Sequence, residues 1–560
     1  MKNTYQLPEG IAGNLENFRQ VINQYKTGSL PYPQFRAIHV PFGIYDERQP
    51  GNFMLRIRLP AGLILPHQMR TVAAVSEKYG DGIPHITTRQ DIQIHKVTLD
   101  NMGPALSELL QAGLSTKGGG GNTVRNITTC PHAGVCRNEV FDTTPYATAL
   151  TEFLLTSPDS FDLPRKFKIA FSGCPHDCAG ATIHDVGFIA KKQNGKGGFR
   201  VYAGGGLGAG KRIADILEDF IPAEDFHRSA QAVKKIFHKH GERNNKNRAR
   251  LRFLVERIGL DQFRKLYQIE LAELPKLPLQ IHQTACHKSS SPCLNESFLP
   301  DFELWKKRNT NPQKQPDFYI VQIPLPLGDI PGTTLLALAD VVENHGEGSV
   351  RATAHQNLLL RWVRENELPT LHKKLSKLAL TDVRPCPYRD IVTCTGASTC
   401  RLGICLSRGL AQAITNKLSD LNLALHETNI NIHISGCPNS CGRHPIAAIG
   451  IMGAARKIGR HLVPHYILHF GGTIREGKTQ FASGNHALPA KNIPDFLAEF
   501  LEAFTHSSHY PAFHAFLDAD GRQVIDHLAE KFKTVPDFTQ NKDFYCDWGS
   551  TTQFSLAERR

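Results

Sequence analysis

The chain contains the stretch TCTGASTC at residues 393–400 and GCPNSC at residues 436–441. A second copy of this arrangement lies nearer the start, with TCPHAGVC at residues 129–136 and GCPHDC at residues 173–178. In both copies five residues separate the first two cysteines and three separate the last two. Eight of the 13 cysteines belong to this repeated pattern. We call Cys130, Cys136, Cys174 and Cys178 the first quartet, and Cys394, Cys400, Cys437 and Cys441 the second quartet.

Four thiolates brought together from two loops indicate metal ligation, and three uses of the cysteines compete. Four Cys thiolates can hold an iron–sulfur cluster. Zinc sites favour two to four residues between paired ligands, so the five-residue spacing argues against zinc. The opening MKNTYQLPEG shows no charged segment followed by an apolar stretch, so we expect no secretory signal and a cytoplasmic protein. In a reducing compartment metal ligation is favoured over disulfides, and iron–sulfur ligation is favoured over zinc and over structural thiols.

Length and composition narrow the class of protein. A chain of 560 residues is too long for one core and predicts about three to five domains. The 41% hydrophobic and 21% charged content is typical of a globular chain rather than a disordered one. No run of about 20 apolar residues is present, so no membrane span is expected. The net charge of +13 points to an acidic partner or ligand, such as nucleic acid, an acidic electron carrier or a polycarboxylate cofactor.

The surroundings of the quartets repeat as well. RNITTC at residues 125–130 matches RDIVTC at 389–394, and GIPHITTRQDIQI at 82–94 matches GSVRATAHQNLLL at 348–360. The offset between matching residues stays between 263 and 266. Such a duplication predicts two homologous halves packed about a pseudo-twofold axis.

Hydrophobic periodicity predicts the same elements in both halves. Alternating apolar residues predict strands at 53–59 and 91–97, with a helix at 66–79 between them. The second half repeats this order with a strand at 318–323, a helix at 333–344 and a strand at 357–363. The pattern predicts a mixed α/β (α+β) fold.

The chain resembles the sulfite/nitrite reductase haemoprotein family from about residue 30 to residue 505. The most specific resemblance lies in TCTGASTC at 393–400 and GCPNSCGR at 436–443. The resemblance implies a sirohaem coupled to a [4Fe–4S] cluster. It implies that all four cysteines of the second quartet bind the cluster and that Cys441 also bridges to the sirohaem iron.

This resemblance supplies a domain plan for the two halves, with two ferredoxin-like half-domains and two sirohaem/[4Fe–4S]-type α/β domains. We expect the first half-domain at residues 1–100, the first sirohaem/[4Fe–4S]-type domain at 101–274, a linker rich in Pro, Ser, Asn and Lys at 275–316, the second half-domain at 317–375, and the second sirohaem/[4Fe–4S] domain with a C-terminal tail at 376–560. Cys286 and Cys293 fall in this linker and are interpreted as non-ligands.

Three first-half motifs resemble the substrate pocket of the family: TTRQ at 87–90, NTVRN at 122–126 and LPRKFK at 163–168. By that resemblance Arg89, Arg125, Lys166 and Lys168 surround the open face of the haem; we call these four residues the pocket cations. Fixed positive groups attract an anion and stabilise the negative charge that develops on oxygen. Since Lys can donate a proton when neighbouring cations lower its pKa and Arg cannot, we assign the lysines to proton delivery and the arginines to anion binding.

Sirohaem carries eight carboxylates, and its burial requires many donors. The predicted cofactor-binding residues, besides Cys441, are Arg165, Arg443, Gln90 and Asn439. The basic run at 242–252 has two open interpretations, cofactor binding or the solvated face of a helix. The glycine runs at 118–121 and 204–210 would let backbone amides approach anionic groups, or serve only as turns.

The sequence also bears on substrate and electron donor. Sulfite reductases of the family resemble KFK at residues 166–168, whereas nitrite-preferring members tend to carry Asn in place of the second Lys. We therefore expect six-electron reduction of sulfite to sulfide, with nitrite reduction to ammonia as the alternative. No flavin or nicotinamide domain is visible, so an acidic external donor such as ferredoxin or a flavoprotein is expected, with no nucleic-acid or membrane partner. A zinc-stabilised basic binding protein and a haem-holding subunit without turnover are the rival interpretations.

The first quartet departs from many single-chain members of the family, which keep only the second. Pseudo-symmetry predicts a second pocket whose aligned residues are His355, Arg389, Asn429 and Asn431, so only one of the four positions keeps a permanent cation. We expect this pocket to be a poor site for anion reduction. The first quartet is left with three options: a cluster with a sirohaem, a cluster alone, or neither.

Overall fold

The computed structural model describes residues 5–281, 299–421, 425, 428, 430–507, 510–557 and 559. Cys286, Cys293 and Asn429 lie outside the described residues. No helix in these ranges is long and apolar enough to cross a membrane.

The first ferredoxin-like half contains helices packed on a four-stranded sheet. Its sheet has the strand order β1-β2-β5-β4. The elements are α1 (Gly10–Lys26), α2 (Tyr32–His39), β1 (Ile44–Asp46), β2 (Asn52–Ile57), β3 (Leu63–Ile64), α3 (Pro66–Tyr79), β4 (His85–Ile86), β5 (Ile92–Thr98) and α4 (Leu99–Gln111).

The first cysteine-bearing domain follows, with a five-stranded sheet of order β10-β9-β8-β7-β6. Strands β6, β7 and β8 are parallel, and β9 and β10 continue the sheet antiparallel. The elements are β6 (Thr128–Thr129), α5 (Thr144–Thr156), β7 (Ile169–Ser172), β8 (Val186–Gln193), β9 (Lys196–Ala203), β10 (Asp215–Pro222), α6 (Phe226–His240), α7 (Leu251–Ile258) and α8 (Leu260–Glu273).

The second half repeats both units. Its ferredoxin-like sheet has the order β11-β12-β14-β13-β3, and its cysteine-bearing sheet has the order β15-β16-β17-β18-β19. The elements of the former are α9 (Phe302–Asn309), β11 (Thr310–Pro312), β12 (Phe318–Ile323), α10 (Gly332–Asn344), β13 (Val350–Ala352), β14 (Leu358–Arg364) and α11 (Leu368–Lys377). Those of the latter are α12 (Cys386–Arg389), β15 (Val392–Thr393), α13 (Ser407–Asp420), β16 (Ile432–Ser435), β17 (Ile449–Ile458), β18 (His461–Phe470), β19 (Ser483–Pro489), α14 (Ile493–His506), α15 (Phe513–Phe516) and α16 (Arg522–Phe532).

The mixed α/β fold, the duplication and the predicted strand–helix–strand order are confirmed. The expected linker differs, because α9 and β11 fall within residues 275–316. Phe302 and Trp305 are buried in one hydrophobic core that both ferredoxin-like halves share. The composition of this segment, which is rich in Lys and Asn, did not predict α9. The helix nevertheless carries these two side chains, and both are buried.

Each half of the chain contributes a short backbone segment that pairs with the other half. Strand β3 of the first half pairs with β13 of the second, with Ile64 opposite Val350. In the reciprocal position, His85 of the first half forms an isolated bridge with Asp329 of the second. Each half therefore depends on backbone from the other.

Two glutamines at equivalent positions form hydrogen bonds between the two halves. Gln90 Nε2 donates to the carbonyl of Ala352 at 2.9 Å, and its Oε1 accepts the N–H of Thr129 at 3.1 Å. Gln356 Nε2 donates to the carbonyl of Ile86 at 3.1 Å, and its Oε1 accepts the N–H of Thr393 at 2.8 Å. Both residues have positive φ, 57° and 64°, a conformation that side-chain-bearing residues adopt rarely and that these hydrogen bonds offset.

Replacing Gln90 with Met should lower the thermal unfolding midpoint of the protein. The variant leaves the buried N–H of Thr129 without a partner, and each orphaned buried group costs about 1–3 kcal/mol. Differential scanning calorimetry measures the shift, and Gln111→Met on the exposed surface of α4 is the matched control. Equal midpoints for the two variants would contradict the role of Gln90 in joining the halves.

Candidate functional site

Both quartets lie at the carboxyl ends of parallel strands. Cys130 follows β6 directly, and Cys174 lies two residues past β7. Cys394 and Cys437 have the same relation to β15 and β16. Because neighbouring parallel strands end at one edge of the sheet, the first and third cysteines of each quartet come together. The loops that follow bring in the second and fourth.

The second quartet forms one connected group of sulfurs. Cys441 acts electrostatically on Cys394, Cys400 and Cys437. The N–H of Gly436 donates to Cys394 Sγ at 3.2 Å. Further backbone N–H groups that reach quartet sulfurs come from Leu402 and Gly403 on Cys400 and from Asn439 on Cys437. Sulfurs that accept several backbone donors suit the anionic thiolates of a cluster.

The first half reaches directly onto the loops of the second quartet. Thr88 Oγ1 donates to the carbonyl of Cys441 at 2.9 Å. Arg48 donates from its backbone N to Thr399 O at 2.8 Å and from Nη2 to Gly403 O at 2.7 Å. These contacts bring the segment carrying Arg89 against Cys441, so the two halves meet at this position.

Arg89 is held by backbone carbonyls rather than by carboxylates. Its Nη2 donates to Asn126 O at 2.6 Å and to Ile169 O at 3.2 Å, and Nη1 lies 2.8 Å from His184 Nε2. Burial lowers the pKa of Arg89 to about 9, although Asp91 opposes this shift. The guanidinium is fixed in direction while its charge lacks a directly bonded anion among the described residues.

Arg125 is fixed in a similar way by the first glycine run. Its Nη1 donates to Gly119 O and its Nη2 to Gly121 O, both at 2.9 Å, and Nη2 also reaches Tyr45 Oη at 3.0 Å. The run at 118–121 thus presents carbonyls to an arginine, whereas the sequence suggested amides aimed at an anion. Burial raises the pKa of Tyr45, but Arg125, Arg56 and Lys166 outweigh burial and lower it to about 8.

Lys166 and Lys168 complete the pocket cations. The pKa of Lys166 is lowered to about 8, chiefly by burial and by Arg250, with Cys441 opposing. The pKa of Lys168 is lowered well below its usual value by burial and by the charges of Arg89, Lys166 and Arg250. Cys441 is thus near enough to act on both ammonium groups. Neither Nζ makes a hydrogen bond or ion pair with any residue that the structure describes, so both remain available to a ligand.

Asp185 and Arg250 support the lysines; the sequence indicated Arg250 only as part of the basic run at 242–252 and gave no sign of Asp185. The fully buried Asp185 accepts the backbone N–H of Lys168 at 2.8 Å and Arg250 Nη2 at 2.7 Å. Arg250 and Arg252 are buried, whereas the Arg248 side chain is 66% exposed. The basic run at 242–252 is therefore divided between a solvated part and a site-facing part. The alternation of Arg at 248, 250 and 252, across the start of α7, was the available signal; a single Asp offered none.

The four residues predicted for cofactor binding have different surroundings. Gln90 is 1% exposed and joins the two halves, so its cofactor contact stays a prediction. Arg165 is partly buried on the segment that carries the lysines. Asn439 donates to Cys437 Sγ and thereby acts on the cluster loop. Arg443 extends toward Gly180 of the first half, where an added Cβ would lie 3.0 Å from its Nη2; burial lowers its pKa to about 10.

Family models match the chain in two pairs of segments. The nitrite and sulphite reductase 4Fe-4S domain matches residues 120–274 and 387–515. The nitrite/sulfite reductase ferredoxin-like half domain matches residues 45–112 and 311–378. The chain belongs to the nitrite and sulphite reductase family. It is thus an oxidoreductase. Membership of this family argues against the zinc-stabilised binding protein, which the sequence had left as an alternative interpretation.

Individual relatives cover most of the reductase. Ferredoxin–nitrite reductase of Synechococcus elongatus is 31% identical, over 81% of this chain and 86% of the relative. Sulfite reductase [ferredoxin] 2 of Mycolicibacterium paratuberculosis is 28% identical, over 82% and 83%. The structure of the Mycobacterium tuberculosis NirA protein superposes with a TM-score of 0.78 at 25% identity, covering 91% of this chain and 95% of that one.

The family implies sirohaem and a [4Fe–4S] cluster, and the residues around Cys441 fit both. The second quartet supplies four thiolates with backbone donors. Among the residues that the structure describes, Lys166 and Lys168 have no partner, and neither do the buried Nε and Nη1 atoms of Arg252. Buried donors without acceptors are costly, so they call for an anionic ligand that satisfies them. Sirohaem, with eight carboxylates, has that character.

The C-terminal tail of the reductase, beyond the segments that the family models match, also packs against the cluster loop. Asp547 Oδ2 accepts the N–H of Leu406, just ahead of α13, at 2.7 Å. Ser407, the next residue, donates from Oγ to the carbonyl of Cys394 at 2.7 Å. A Cβ on Gly409 would overlap the carbonyl of Trp548, so the glycine admits the tail. Asp547 therefore stabilises the start of α13 and, through it, the position of Cys394.

Asp547 should make the stability of the reductase depend on pH. Burial raises its pKa from 3.8 to about 6, so folding favours the protonated form, and this contribution grows as pH falls from about 6 toward 4. The thermal unfolding midpoint of the wild type should rise relative to Asp547→Asn when pH is lowered from about 7.5 to about 5. Asp518→Asn, an exposed carboxylate of the same tail, is the control. If the difference in unfolding midpoint between the wild type and Asp547→Asn did not change with pH, that result would contradict this role.

Proposed function

We propose that the protein reduces nitrite to ammonium with six electrons from a ferredoxin-type donor. The observation that carries the proposal is the set of unpaired cations facing Cys441: the site is built to hold a small anion beside a thiolate-bound centre. The substrate assignment is supported by the 31% identical relative, which is named a nitrite reductase. The identity to this relative supports nitrite over sulfite, the substrate that the lysine motif led us to expect.

Nitrite consumes six electrons and eight protons as its two oxygens leave as water. Arg89 and Arg125, fixed by carbonyls, orient the anion and stabilise negative charge on its oxygens. Lys166 and Lys168 hold protons at Nζ, and their lowered pKa values let them release a proton to a departing oxygen. Asp185 and Arg250 keep the lysine segment in place. Sirohaem and the cluster, when bound, supply single electrons to the substrate atom.

Sulfite is the second candidate substrate. Lys168 stands where nitrite-preferring members tend to carry Asn, and the relative that is 28% identical is named a sulfite reductase. An additional cation favours the more highly charged anion. A direct comparison of kcat/KM for nitrite and sulfite, with one anaerobic preparation of the holoenzyme and a reduced dye, tests the assignment. A higher value for nitrite is expected, and a higher value for sulfite would overturn the nitrite assignment.

Replacing Lys168 with Asn should separate the two substrates. The loss of one cation and proton donor should lower kcat/KM for sulfite by about 10²-fold, with a smaller loss for nitrite. Steady-state kinetics with both anions measure the effect, and Lys192→Asn on the exposed end of β8 is the control. Equal losses for both anions would refute the link between Lys168 and substrate preference.

The donor should dock electrostatically. The net charge of +13 attracts an acidic ferredoxin, and raising ionic strength from about 0.01 M to about 0.15 M shortens the screening length from about 30 Å to about 8 Å. The ferredoxin-driven rate should therefore fall with added salt while the rate with a small neutral dye changes little. A ferredoxin-driven rate independent of salt would count against charge-guided docking.

A further inference from the structure

We propose that the first quartet, Cys130, Cys136, Cys174 and Cys178, binds a second iron–sulfur cluster that has no haem beside it. The first quartet is separate from the pocket cations. Its proposed cluster does not depend on whether the reductase acts on nitrite or on sulfite.

The thiols of the first quartet converge in the folded chain. Cys130 and Cys178 lie within hydrogen-bonding reach of each other, and so do Cys136 and Cys174. Both pairs join a cysteine of one loop to a cysteine of the other, and the pairs also interact with each other through Cys136 and Cys130 and through Cys178 and Cys174, so the four sulfurs form one group. Repetition of the sequence motif alone would not require the two loops to lie close together.

Backbone donors surround these sulfurs in the same pattern as in the second quartet. The N–H groups of His132, Asn138 and His176, each two residues after a cysteine, reach the sulfurs of Cys130, Cys136 and Cys174. Leu402 and Asn439 stand in the same relation to Cys400 and Cys437. Hydrogen bonds of this kind stabilise thiolate ligands and tune the cluster they hold.

A buried arginine, Arg351, supports the proposal independently of the cysteines. Arg351 is fully buried, makes one hydrogen bond, from Nη1 to Thr144 Oγ1 at 3.2 Å, and leaves Nε and Nη2 without partners among the described residues. It interacts electrostatically with Glu347 and Asp142 and, less strongly, with Cys130. The two carboxylates offset its charge, but its Nε and Nη2 donors find no acceptor among the described residues, and a buried donor without an acceptor is costly. The sulfurs of a cluster held by the first quartet would supply such acceptors.

The second half holds the loop of Cys130 and Cys136 in place before any ligand binds. Lys314 N donates to Val135 O at 2.9 Å, and Gln315 Nε2 donates to Gly134 O at 2.9 Å. Arg361 Nη1 donates to Ala133 O. The Lys314 contact is the pseudo-symmetric counterpart of the one that Arg48 makes to the second quartet. Pre-organised loops of this kind reduce the cost of ordering ligands on binding.

The neighbouring pocket, in contrast, has lost three of the four cations that line the substrate pocket. Arg389, equivalent to Arg125, is 5% exposed and already bonded to Asp390 at 2.7 Å and to Asn309 Oδ1 at 2.9 Å. Asn431 stands in place of Lys168, and its Oδ1 accepts Ala448 N at 2.8 Å. With its remaining cation neutralised, this pocket attracts a polyanionic group weakly, so we assign no haem to it.

The stoichiometry of the anaerobically purified holoenzyme tests the proposal. Two clusters and one sirohaem predict about eight acid-labile sulfides per haem, whereas a single cluster predicts about four. Cys130→Ser/Cys136→Ser should lower the ratio about twofold with haem absorbance retained. It should also remove from the electron paramagnetic resonance spectrum of the reduced protein the signal of a cluster not coupled to haem. Cys546→Ser, outside both quartets, is the control and should change neither.

About four sulfides per haem in the wild type would overturn the proposal even if the double variant fails to fold. One zinc ion per chain that is lost in the double variant would overturn it as well, and two sirohaems per chain would overturn the haem-free assignment. An enzyme with the expected stoichiometry but no nitrite reduction would count against the proposed function only.

Discussion

The reactive site depends on holding several positive charges inside the protein without pairing them to its own carboxylates. Arg89 and Arg125 are directed by the carbonyls of Asn126, Gly119 and Gly121, whose dipoles stabilise a cation without cancelling its charge. Lys166 and Lys168 are left without partners among the described residues. An anionic group in the space toward Cys441 would stabilise these buried charges, so binding of the cofactor and substrate should also stabilise the folded protein.

Much of this organisation could be predicted from the sequence, because it rests on local spacing and periodicity. The repeated cysteines, the strand–helix–strand order and the four pocket cations all lie in short motifs. Asp185, Asp547 and Arg351 could not be predicted, since each matters through a contact with a residue far away along the chain. The helix at Phe302–Asn309 was missed because the Lys- and Asn-rich composition around it hides two buried aromatic rings.

The two copies of the cysteine-bearing domain share a sheet order yet differ in charge. The first carries Lys168 and Asp185, whereas the second has Asn431 and Ala448 at the matching positions. The second instead supplies the thiolates that face those lysines. The pocket therefore combines cations from the first copy with thiolates from the second, and the hydrogen bonds of Gln90 and Gln356 hold the two halves together.

The position of Leu63–Ile64 has a consequence for how the enzyme is made. This strand completes a sheet whose other members lie at residues 310–364, so nearly 300 further residues must leave the ribosome before its neighbour exists. During that interval the amino-terminal half exposes an unfinished edge, a surface prone to aggregation that chaperones bind. Cofactor insertion must follow completion of the polypeptide, and the amino-terminal half, expressed by itself, would lack the partner that closes its fold.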